Sequence, residues 1–69
     1  MIREGHGIVR LRGGDTYEGA FEIAGAWVTL TGRHRKPQAS GEVYYGARGR
    51  WIWPERRVRA IVEHVEAVQ

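Results

Sequence analysis

The run from Thr16 to Ala24 constrains this chain more than any other stretch. It reads Thr-Tyr-Glu-Gly-Ala-Phe-Glu-Ile-Ala, with Tyr17, Gly19, Phe21 and Ile23 on one face and Glu18, Ala20 and Glu22 on the other. A period of two is the signature of a half-buried β-strand. Gly19 interrupts the apolar face at mid-strand, where it contributes nothing to packing. A glycine there marks a bend, so the sheet is expected to curl on itself.

The flanking segments have the same character. Gly7 to Arg12 is β-branched and alternating, and Gly13-Gly14-Asp15 supplies a turn. Ala24-Gly25-Ala26 turns the chain again, and Trp27 to Thr31 reads as a third strand, with Val28 and Leu30 facing opposite to Trp27 and Thr29. Gly32 to Ser40 has no periodicity and is expected to be a charged loop. Glu42–Tyr45 and Trp51–Trp53 are short β-prone runs separated by Gly46-Ala47-Arg48-Gly49, which predicts a hairpin. After Pro54, Glu55-Arg56-Arg57 reads as a tight or 3₁₀ turn.

The last segment fits two templates. Val58, Ile61, Val62, Val65 and Val68 have helical spacing, but β-branched composition favours a strand from about Arg59 to Val65. The whole, residues 1–69, is expected to form one all-β domain, a small five-stranded, strongly bent barrel.

Such a chain has a thin core. With 69 residues it buries only about 60% of its unfolded surface. It has no cysteine, which removes disulfides and thiolate metal sites. His6, His34 and His64 are too dispersed for a metal cage, so no metal and no cofactor are expected. Association with copies of itself is the remaining source of stability. A homo-oligomeric ring is expected, with the fourth strand of one subunit pairing with the fifth of the next, and Val62, Val65 and Val68 packing across the joint.

Charge is uneven. Residues 33–59 carry eight basic side chains against two acidic ones, a net of +6, while the remainder carries three against six, a net of −3. Ten of the eleven basic residues are arginine, which forks onto phosphate. Arg33, Arg35, Lys36, Arg48, Arg50, Arg56 and Arg57 are therefore the candidate contacts to single-stranded nucleic acid, with RNA the expected form. Trp51 and Trp53 share a face in a strand and face either the core or a base. No catalytic set can be assembled: Ser40 is the only serine, Asp15 the only aspartate, and an enzyme is not expected. No apolar run is long enough to span a bilayer, and the start Met-Ile-Arg-Glu-Gly-His lacks the apolar core of a signal peptide, so no membrane partner and a cytoplasmic setting are expected.

The order Gly7-Ile-Val-Arg-Leu-Arg, Gly13-Gly14, Tyr17, Gly19, then Trp27-Val-Thr-Leu30, with Val58-Arg-Ala-Ile61 after a short turn, resembles the Sm-like, or SH3-like, family. The chain is also similar to small Sm-like proteins of actinobacterial phages. The resemblance implies a bent five-stranded barrel, assembly into rings and RNA binding. Three motifs depart from that pattern. Ala24-Gly25-Ala26 replaces the family's Asp- and Asn-bearing loop, Glu55-Arg56-Arg57 replaces its Arg-Gly, and Tyr44-Tyr45-Gly46 stands where its bacterial RNA chaperones carry Lys-His. The fold therefore carries over further than the RNA pocket does. The alternative is a structural or protein-interaction module of a phage or mobile element, its arginines serving subunit contacts.

Overall fold

A computed structural model describes residues 2–64. Five strands follow one another: β1 (Ile2–Leu11), β2 (Thr16–Ala24), β3 (Trp27–Pro37), β4 (Val43–Pro54) and β5 (Val58–Glu63), with a 3₁₀ turn, Glu55–Arg57, between the last two. All pairings are antiparallel, in the order β4-β3-β2-β1-β5.

The alternation in β2 sets the faces. Gly19 and Phe21 are buried and Ala20 and Glu22 exposed. Carried through the register, the inner face collects Val9, Leu11, Phe21, Val28, Leu30 and Trp53 as the buried core, with Tyr17, Ile23, Trp51, Val58 and Ile61 packed against it. Full burial of such side chains contributes roughly 1.5–3 kcal/mol each.

The bend runs along one row of the sheet. Gly7 pairs with Gly19, Gly19 with Gly32, and Gly32 with Gly49, so a line of glycines crosses four strands. The inner surface of this line has no room for side chains. A Cβ on Gly7 would fall on the Val62 carbonyl oxygen, one on Gly19 on that of Thr31, and one on Gly32 on that of Glu18. At Gly49 the Trp51 indole occupies the space, 3.2 Å from where a Cβ would stand.

The depth of the bend can be measured. Trp53 lies in the row of Ile23, six residues along β2 from Tyr17 and two strands across. In a flat sheet that separation along the strand alone is roughly 20 Å. The Tyr17 ring is instead 4.7 Å from that of Trp53 and 4.9 Å from that of Trp51. Folding along the glycine row brings the two halves of the inner face together.

The expected barrel does not form: the sheet is bent but open. Among the described residues β4 pairs only with β3, and β5 only with β1, leaving both as free edges. The reason lies in the β4–β5 connection. Its backbone bonds run from Glu55 N–H to the Ala26 carbonyl and from Arg12 N–H to the Arg57 carbonyl. The turn thus carries the chain from the β2–β3 end of the core to the far strand β1, instead of folding β5 back onto β4.

Two further expectations change. Arg33 to Pro37 is not loop but the end of β3, and the connection is Gln38–Glu42, closed by hydrogen bonds between Gln38 and both Glu42 and Gly41. The two short runs flanking Gly46–Gly49 form a single twelve-residue strand, β4, with the register shifting between Arg33 and Arg35. That shift absorbs the extra residue as a bulge. The final segment is a strand from Val58 to Glu63; its expected extension to Val65, with Val65 and Val68 in a joint, lies outside the described residues.

Gly32→Ala should lower stability by about 1–3 kcal/mol, the usual cost of forced overpacking. That corresponds to a fall in Tm of roughly 4–8 °C per kcal/mol for a domain of this size. Gly13→Ala, where nothing lies within 4 Å, should stay within about 0.5 kcal/mol in the same circular-dichroism melt.

Candidate nucleic-acid interface

The ladder register orders the outer face into rows. From one end they are Ile2–Ala24–Trp27–Pro54, then Glu4–Glu22–Thr29–Ile52, then His6–Ala20–Thr31–Arg50, and then Ile8–Glu18–Arg33–Arg48. Past the bulge, Arg35 stands opposite Tyr45.

Arg33 and Arg48 are thus direct cross-strand neighbours, both exposed, their Cβ atoms roughly 5 Å apart by sheet geometry. Like charges so placed repel and destabilise the pair of strands. Arg50 follows on the same face of β4. The ion pairs among the described residues join Arg3 to Glu63 and Arg35 to Glu18, His34 Nε2 lies 3.6 Å from Asp15 Oδ1, and no carboxylate reaches Arg33, Arg48 or Arg50 within 4 Å. A groove of about 320 Å³ is lined by Arg33 and Arg48 together with His6, Glu18, Ala20, Thr31 and Tyr45.

Glu18 is engaged on one side. Its Oε1 accepts a hydrogen bond from the Tyr45 hydroxyl at 2.8 Å and lies 3.8 Å from Arg35 Nε. Exposed pairs of this kind contribute up to about 1 kcal/mol, so their effect is to orient Tyr45 more than to hold the fold.

The seven basic residues do not converge. Arg33, Arg35, Arg48 and Arg50 share the outer face, while Lys36, opposite Tyr44, alternates to the other side of the β3–β4 arm. Arg56 and Arg57 sit on the 3₁₀ turn, where the Arg56 carbonyl accepts a bond from Arg12 Nε at 2.8 Å. Trp51 and Trp53 belong to the inner face, Trp53 only 9% exposed, so they offer bases no platform. Tyr44 and Tyr45 are the exposed aromatics near the charge, at 57% and 47%.

Sequence reasoning missed the partners of the arginines. Tyr45, Glu18 and His6 join the site only through the register. The signal for that register was the glycine in the middle of each of the first four strands.

A second surface is apolar. Ile2, Trp27 and Ile52 are each more than half exposed, beside Ala24 and Pro54 at one end of the outer face. Among the described residues no three His, Cys, Asp or Glu side chains cluster as a metal site, and no helix is long and apolar enough to cross a membrane. No family model matches the chain, and neither a curated protein nor a solved structure matches it.

Behind the basic face, on the inner side, Tyr17 stacks on His34 at 4.8 Å. Burial, with a smaller contribution from the Asp15 carboxylate, raises the Tyr17 phenol above its ordinary pKa. The folded state therefore holds that proton more tightly than the unfolded chain does. Stability from this group is complete below the unfolded tyrosine pKa, near 10, and is lost as pH rises through the folded value. Tyr17→Phe should flatten the alkaline fall in stability, read by denaturant melts from neutral pH to above pH 10. An unchanged slope would show that other groups govern alkaline unfolding.

Proposed function

We propose that this chain is an Sm-like, non-enzymatic module that binds single-stranded RNA through its outer face and works as a homo-oligomer. The observation that carries the reading is the exposed Arg33–Arg48 opposition, extended by Arg50, with no carboxylate among the described residues within ion-pair distance. Two facing guanidinium groups are unfavourable alone and become favourable when a phosphate sits between them. Arg35 flanks the pair, while Lys36, Arg56 and Arg57 add diffuse attraction. An RNA ligand implies a cytoplasmic setting.

Oligomerisation uses the free edges. Among the described residues β4 and β5 each lack a partner strand along one side, and an exposed edge is a template for another strand. Addition of β5 from one copy to β4 of the next would satisfy both edges and can repeat around a ring. The apolar corner at Ile2, Trp27 and Ile52 supports a second reading, a structural or protein-interaction module of a phage or mobile element. Apolar surface of this kind marks interaction sites.

Titration of a labelled oligoribonucleotide at several salt concentrations separates the two. Each phosphate contact to a single strand contributes about 0.7 to the slope of log K against log salt. The Arg33→Ala/Arg48→Ala double variant, which removes the one phosphate held between the two side chains, should therefore reduce the slope by about 0.7, while Arg56→Ala/Arg57→Ala should change it by less than half as much. Equal slopes in both variants would overturn the outer face as the contact. Absence of binding at low salt would leave the interaction module, whose partner should be lost in Trp27→Glu. Light scattering should give a mass that is a multiple of the single chain; a monomer would remove the ring.

A further inference from the structure

Glu18 is out of place in a surface built for phosphate. It stands directly opposite Arg33, in the row that ends at Arg48, and it lines the groove between them. A carboxylate there repels the backbone of any nucleic acid, so a purely electrostatic groove would be better without it. Its contacts do not answer the objection. Oε1 takes the Tyr45 hydroxyl, and Arg35 lies at 3.8 Å, yet among the described residues Oε2 receives no hydrogen bond, and the side chain is 29% exposed.

We propose that the groove is a guanine site, in which Glu18 accepts the N1–H and N2–H groups of the base while Tyr45 stacks on it and Arg33 and Arg48 hold the adjacent phosphate. This rests on the RNA-binding reading above and names the base it selects.

The chemistry follows from the edges of the four bases. Unpaired bases are read on their Watson–Crick edges and stacked on aromatic rings. Guanine alone presents two adjacent N–H donors there, matching the two oxygens of one carboxylate. Adenine and cytosine each offer one amino group beside a ring-nitrogen acceptor, and uracil offers one N–H between two carbonyls, so a carboxylate meets repulsion from all three. Each carboxylate oxygen has two acceptor positions, which leaves Oε1 able to keep its Tyr45 bond while accepting a second.

The groove admits a flat ring. Its volume, about 320 Å³, falls in the range of small-molecule pockets. Its floor is made of Gly19, Ala20, Thr31 and Gly32, so no long side chain fills it. Tyr45, nearly half exposed, is held by its hydroxyl bond to Glu18, which couples the stacking ring to the reading group.

The test uses the full chain with GMP and AMP, measured by NMR chemical-shift titration, alongside U-rich oligoribonucleotides carrying one central G or A. A bidentate contact discriminates between bases by about 5- to 150-fold, so GMP should bind at least about fivefold tighter than AMP, and the G-containing oligonucleotide likewise. Glu18→Gln should abolish the preference while AMP affinity holds or rises, because the repelling carboxylate is gone. Tyr45→Ala should weaken both nucleotides by about tenfold. Circular dichroism checks that both surface variants are folded.

Equal binding of GMP and AMP, or a preference that survives in Glu18→Gln, would overturn the guanine site while leaving RNA binding intact. Selective binding of GMP with no affinity for either oligonucleotide would support the guanine site and sink the RNA reading. No binding of any of the four ligands would overturn both.

Discussion

Everything in this molecule follows from a steric prohibition along one line. Where β1 to β4 cross the row Gly7–Gly19–Gly32–Gly49, the space a side chain would need on the inner surface is taken, by neighbouring carbonyl oxygens at the first three glycines and by the Trp51 indole at Gly49. A sheet whose first four strands lack a Cβ at the same level can fold there without clash. That fold lets Tyr17 reach Trp51 and Trp53 from the other half of the sheet and form one core. Without it the same apolar residues would lie on a flat face, half exposed to water, in a chain too short to supply a second layer.

Bending is not closure, and the difference shapes the surface. A closed sheet has no edges, but here β4 and β5 remain open on opposite sides. Open edges invite uncontrolled pairing, and charge on them restrains it. β4 carries Arg48 and Arg50, and β5 carries Arg59 and Glu63. The edge charges protect the free strand, and in the proposed RNA complex they would also meet an anion. In the exposed apolar corner, Ile2 and Trp27 are separated from the arginine rows by the row of Glu4, Glu22 and Thr29, while Ile52 ends that same row and adjoins the row of Arg50. The outer face is thus divided into regions of different chemistry by the register alone.

What could be read in the sequence was local. The alternation of Tyr17, Phe21 and Ile23 and the bend at Gly19 depend on neighbours along the chain, and both hold in the structure. The outward turn of Trp27 against Val28 follows from the same period. The charged run after Gly32 misled, because Arg33, Arg35, Lys36 and Pro37 have loop composition. They are strand because Val43, Tyr44 and Tyr45 supply a ladder on the other side. Strand propensity is weak against pairing of this kind. Gly46 to Gly49 looked like a turn for the same reason, and a bulge accommodates the excess instead. Closure was misjudged because it depends on where a three-residue turn sends the chain, which no periodicity encodes. Of the candidate contacts, the choice of arginine was legible and the company it keeps was not. The Arg33–Arg48 opposition exists only once β3 and β4 are in register.

The hinge of the core and the floor of the groove are two sides of the same glycines. Gly19 and Gly32 exclude side chains on the inner surface, and the same two residues line the outer groove. Stability and the proposed recognition therefore could not be adjusted independently at those positions: any residue large enough to alter the floor also forces the bend apart. In the proposed guanine site the freedom to change ligand preference would lie one step along the strand, at Glu18, Arg33 and Arg48, whose side chains project from the outer face and carry little of the core. A surface that varies around a fixed hinge is the economical arrangement for a chain with so small an interior.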